Sequence, residues 1–248
     1  MPEPATLAWF DRRLRGAEGL GDPRVIGHAL LDSGIVRFAY GMTEDAQRDL
    51  DRAGDTLEGA GDGVGAALAA SAGSLVARLS GDVHGAVARA QFARGWAPPG
   101  SVGTVAAQLA IAEAALDAGD RVPGLWGYIE ATNVLGEAAL PEETRRRLAA
   151  YADWLNEGDN AASRPPTPRL SGIAAPPATA GRIAASFQGQ VGVDDLAART
   201  APDETDETTV GHVASGLAAG VLALRAERLQ AASQSFADAH LLGRTGPP

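Results

Sequence analysis

The sequence predicts an all-α fold, and three observations carry that expectation. Alanine, the strongest helix former, supplies 52 of the 248 residues. Aromatic residues, which strands favour, make up only 5%. Apolar stretches of helix length alternate with short breaks rich in Gly, Asp and Pro. With 45% hydrophobic and 21% charged residues, the composition is that of a globular chain. The length suits one large domain or two small ones.

The elements follow in order. Residues 1–21 are polar and charged and read as a lead-in, with no apolar signal core. Asp22-Pro23 starts a helix, a capping Asp followed by Pro in the first turn, that runs to Tyr40. Gly41-Met42-Thr43 breaks it, and Thr43, Glu44 and Asp45 open a helix to about Leu57. Gly59–Gly63 reads as a flexible break. Helices are then expected over Val64–Leu79, after the break Ser80-Gly81-Asp82 to about Gly95, over Val102–Ala118 and over Pro123–Leu135. Pro141 starts another, to about Asn156, in which Glu143 and Arg147 have helix pairing distance. Residues 158–178 carry two proline clusters and read as a long loop. Helices near Ala180–Gln188 and Val193–Arg199 follow, then an acidic break at 203–207. Thr209–Arg225 and Arg228–Leu242 close the chain, so residues 22–248 are expected to form a single helical domain.

Four helix pairs align on small residues. Early in the second helix stand Ala46, Ala86, Gly124 and Ala232. Four residues on come Leu50, Ala90, Tyr128 and Phe236, and three further on Ala53, Ala93, Ala131 and Ala239. Twelve residues before the first set lie Gly34, Ser74, Ala112 and Gly220. Antiparallel helices pack closely only where both present small side chains, with a bulkier neighbour filling the groove. Three of the turns carry Gly at one register, Gly41, Gly81 and Gly119; the fourth has Glu227.

This pattern resembles tetratricopeptide repeats. The spacing between matches is 40 and then 38 residues, longer than the common repeat of about 34. It is closer to the long repeats in the sensor regions of maltose-activator-type and antibiotic-regulator-type bacterial transcription factors. The likeness covers roughly residues 22–137 and 209–243; 140–208 fits poorly, and the usual large aromatic early in the first helix is missing. The resemblance implies a superhelix of antiparallel helical hairpins. It also implies a concave groove lined by the first helices. In this register the groove carries Leu31, Ile35 and Phe38; Leu68, Leu75 and Arg78; Leu109, Glu113 and Leu116; and Leu217, Val221 and Leu224. A long open apolar strip marks a binding surface; with the register off by one, the same residues are inter-helix core. Chaperone-binding members of the family clamp a terminal carboxylate with Lys and Asn, and this chain has no Lys.

Composition narrows the chemistry further. All 21 basic residues are Arg, which excludes a phosphate-loop lysine, a Schiff-base lysine and pyridoxal attachment. With no Cys there is no thiol nucleophile. A net charge of −10 disfavours nucleic acid and anionic membranes as partners. Apolar windows such as Val64–Ala77 are too short to span a bilayer. The four His form no metal-ligand spacing, Gly59–Gly65 has no strand before it, and Asp194-Asp195 lacks a partner motif.

No catalytic residue, cofactor or metal site is therefore expected, and a cytoplasmic location is. The leading expectation is a non-enzymatic binding module of a regulatory or signalling system. Its groove would take a protein, a peptide or a small apolar ligand. The alternative is an all-α enzyme of natural-product metabolism with its pocket in the concave face, for which Arg78, Glu113 and His84 are the polar candidates. Self-assembly through the end helices is a third. The stretch Ser163–Ala178, with Pro165, Pro166, Leu170, Ile173, Pro176 and Pro177, is expected either to lie over the groove as a lid or to be a loop disordered in solution.

Overall fold

Residues 4–134, 174–192 and 209–241 are described by a computed structural model, and every regular element among them is an α-helix. In chain order these are α1 (Pro4–Leu20), α2 (Pro23–Ala39), α3 (Thr43–Gly59), α4 (Gly63–Leu79), α5 (Val83–Trp96), α6 (Val102–Asp117), α7 (Arg121–Val134), α8 (Pro177–Phe187), α9 (Thr209–Arg225) and α10 (Leu229–Leu241). No helix among the described residues is long and apolar enough to cross a membrane. The expected helices at 141–156 and 193–199, the acidic run at 203–207 and most of the proline loop lie outside these residues.

Local chemistry sets the helix ends. Side chains of Asp22, Asp62, Asp82 and Ser101 accept hydrogen bonds from backbone N–H groups in the first turns of α2, α4, α5 and α6. At the other ends Gly41, Gly61, Gly81 and Gly119 take φ between 71° and 84°. At Gly81 the glycine N–H donates to the Arg78 carbonyl and the following Asp82 N–H to the Ala77 carbonyl, both at 2.9 Å. The other three turns repeat that pairing. Gly59–Gly63 is thus one of these tight turns rather than a flexible break. Glu227 ends α9 in the same way, at φ 57°, the only non-glycine with positive φ among the described residues.

The turns fold the chain into hairpins α2/α3, α4/α5, α6/α7 and α9/α10, which pack side by side. Within each hairpin the small residues face one another. A Cβ on Gly34 would meet Leu50 Cγ at 2.7 Å, and one on Gly220 would meet the Phe236 ring at 2.8 Å. Ser74 Oγ donates to the Ala86 carbonyl at 2.8 Å. A Cβ on Gly127 would meet that of Ala112 at 2.8 Å. The twelve-residue offset read from the sequence holds for Ser74 and Ala86, whereas Gly34 and Gly220 come nearest to the bulkier residue sixteen positions on and Ala112 faces Gly127, fifteen on.

Two features depart from the expected layout. The N-terminal stretch is a helix, not a lead-in: α1 packs on α2 and buries Phe10 and Ala17. Its apolar residues Leu7, Phe10, Leu14 and Ala17 have helical spacing, diluted by charge. The C-terminal hairpin also returns to the start of the array, with α9 against α2 and α10 against α6. One buried cluster therefore runs from Phe10 through α2 and α4 to Phe187, Leu217, Phe236 and Ala239.

Candidate functional site

The expected open strip is closed. Leu31, Ile35, Phe38, Leu68, Leu75, Leu217 and Val221 are all buried members of that cluster. Leu109 is fully buried, and Leu224 packs half-buried at the cluster's margin. Leu116 faces α7, where a Cβ on Gly124 would meet its Cγ at 2.5 Å. The correction has a plain cause. A surface this apolar is not left in water when the same chain can cover it, and the returning C-terminal hairpin does so. Of the proline segment only the last residues are described, and Ala175 among them is a buried member of the same cluster. These residues lie by the α2–α3 turn, with the Ala175 N–H donating to the Ala39 carbonyl at 2.8 Å. Residues 163–173 are outside the described set.

The two polar candidates of that strip do come together. Arg78 on α4 reaches Glu113 on α6 at 2.9 Å and Asp117, one turn on, at 2.8 Å. Tyr128 on α7 donates its hydroxyl to Glu113. His240 on α10 completes the cluster and is only 1% exposed. Burial alone would lower the pKa of Arg78, but the charges of Glu113 and Asp117 carry it above its ordinary value. The reverse holds for His240: burial, reinforced by Arg78 and opposed by Glu113, pushes it down to about 3. It is therefore neutral at ordinary pH. His84 stands apart, exposed in the first turn of α5.

A second buried polar centre was not expected. Asp32, with no exposure, takes two bonds from Arg225 at 2.6 and 2.9 Å and one from Arg13 at 2.5 Å. It ties α1, α2 and α9 together. Nearby on α2 and α3, Ser33 donates to Asp49 at 2.7 Å, and Arg37 pairs with Asp49 at 2.9 Å and Asp11 at 2.8 Å. Burial raises the Asp49 pKa above the usual carboxylate value despite these partners. The available signal was a lone Asp in the otherwise uncharged run 29–36. Its partners could not be read from sequence, because Arg225 is 193 positions away.

An accessible recess lies on the other side, between α3, α4 and α5. It holds about 250 Å³ and is lined by Leu50, Gly54 and Ala70 below and by Asp51, Asp55, Arg89, Phe92 and Trp96 at the rim. Phe92 and Trp96, one turn apart on α5, stack at 5.7 Å. Phe92 is 59% exposed although apolar. Gly54 lets the indole approach α3, since a Cβ there would meet Trp96 Cζ3 at 3.0 Å. Arg89 donates to both Asp51 oxygens at 2.7 and 2.8 Å. The sequence signal was the aromatic pair four residues apart in a helix otherwise made of small and polar side chains. No group of metal-ligating side chains forms among the described residues. No family model, curated protein or solved structure matches the chain.

Proposed function

We propose that the chain is a non-enzymatic helical-repeat binding module that docks a protein segment in the recess between α3 and α5. The observation that carries this is an exposed Phe92 stacked on a half-buried Trp96 over an apolar floor. Aromatic side chains in recesses are the usual energetic anchors of protein contacts. The tetratricopeptide likeness belongs to the same proposal. It is supported by the recurring glycine turns and by the facing small residues. A regulatory or signalling setting inside the cell is the role that likeness implies. A net charge of −10 suits a protein partner better than nucleic acid or an anionic membrane.

The enzyme reading rests on Arg78, Glu113, Tyr128 and His240 converging. It is the weaker one, because each of these side chains is buried and a substrate has no way to them without opening the helix packing.

The test uses protein labelled with 5-fluorotryptophan and N-acetyl-phenylalaninamide as a minimal apolar side chain. The fluorine resonance of Trp96 should shift on titration, and Phe92→Ser should abolish the shift. A Trp96 resonance that stays put at saturating probe would overturn docking at this recess.

A further inference from the structure

We infer that the occupant of the recess is a basic segment of a partner protein, presenting an apolar or aromatic anchor beside an Arg or Lys. The inference rests on the docking reading above and adds the chemistry of the partner.

Charge at the rim is the first observation. Two carboxylates, Asp51 and Asp55, line the recess against one guanidinium, Arg89. Arg89 is already held by both oxygens of Asp51, and Asp82 stands 3.9 Å from its other nitrogen. Its charge is thus taken up within the protein. Asp55 is exposed and makes no ion pair among the described residues. Arg94, the next cation on α5, falls on the opposite side of that helix from Phe92 and Trp96 by helical spacing. The recess therefore presents net negative charge to whatever enters it.

The aromatic pair is the second observation, independent of charge. Phe92 and Trp96 are nearly parallel, with an interplanar angle of 20°. A π face attracts a cation as well as an apolar group, most strongly a guanidinium on Trp. A carboxylate and an aromatic face within one recess select a cationic side chain next to an apolar one. A volume of about 250 Å³ holds such side chains, not a folded domain. An anionic or purely aliphatic segment would leave Asp55 facing a like charge or losing water without compensation.

Three capped helical peptides test this. All share one Phe anchor, and Arg, Gln or Glu occupies the flanking positions. Binding is read by anisotropy and by the Trp96 fluorine resonance, at low and high salt. The Arg peptide should bind roughly tenfold more tightly than the Gln peptide, lose that advantage in high salt, and exceed the Glu peptide by more. Asp55→Asn, an exposed change that should leave the fold intact, should weaken the Arg peptide and bring it close to the Gln peptide; an Arg peptide whose advantage over the Gln peptide survives this change overturns the charge inference. Equal binding of the Arg and Gln peptides, with Trp96 shifted by both, overturns the charge inference and spares the docking reading. No shift of Trp96 by any peptide removes the docking reading and the inference with it. Self-association of the free protein that Phe92→Ser abolishes would identify a second copy as the occupant, and that too overturns the inference.

Discussion

Arg78 and Arg89 are both arginines set among two carboxylates, one on each side of the same hairpin. Arg78 meets Glu113 and Asp117 with 3% of its side chain exposed; Arg89 meets Asp51 and Asp82 with 22% exposed. The inner cluster sits among first helices and the returning C-terminal hairpin. The outer one forms the rim of an open recess. What differs is water. Inside, each charge has only its neighbours to replace hydration, so removing one strands the rest. Outside, solvent takes over any partner that is lost. The inner cluster is built to hold helices together, and the outer one is free to exchange partners.

Glu113→Ala should show the largest effect. It removes one of the buried carboxylates that face Arg78, and with it a hydrogen-bond partner of the Tyr128 hydroxyl. A loss of about 3–5 kcal/mol is expected in urea unfolding. Arg89→Ala should cost less than about 1 kcal/mol. Similar losses for the two variants would erase the distinction between the sides.

His240 sharpens the comparison through pH. Its folded pKa, about 3, lies below its ordinary 6.5. Between those values the unfolded chain binds a proton that the folded chain refuses. Stability is fully present above pH 6.5 and falls as pH drops, by on the order of 1 kcal/mol per pH unit. Asp49 works in the opposite sense, because its raised pKa makes the folded state the better proton binder above pH 3.8. The difference between wild type and His240→Leu isolates the histidine. In that difference the slope between pH 6.5 and about 3 should appear; identical pH profiles would mean that His240 titrates freely.

Packing within the hairpins gives a smaller effect. Ala239 is buried against Gly216, whose Cβ would stand 3.0 Å from that of Ala239. Ala239→Leu should destabilise by about 1–3 kcal/mol through overpacking. Wild-type stability would show that α9 and α10 can separate without cost. The last effect is a gain. Glu227 is exposed and holds the left-handed conformation that glycine takes in the other turns. Glu227→Gly should stabilise by about 1 kcal/mol and raise Tm by about 2–4 °C. An unchanged Tm would mean that the fourth turn carries no strain.

The sequence by itself determined the helices and the hairpins, because their causes are local. Asp22, Asp62, Asp82 and Ser101 cap helices that begin within a residue or two of them. Gly41, Gly81 and Gly119 were legible as turns because only a residue that tolerates positive φ closes such a turn cheaply. Gly34 opposite Leu50 and Gly220 opposite Phe236 were legible because the facing positions lie within about twenty residues. The α1 helix was missed because charges interrupt its apolar spacing. Tertiary structure alone decided which face meets water. The strip from Leu31 to Val221 has the same residues whether it lines an open groove or a core. Asp32 and Arg225, like Arg78 and His240, meet only when the last hairpin returns to the first helices. Apolar side chains say that they will be covered, but burial is non-directional, and the covering element is chosen by contacts remote in sequence.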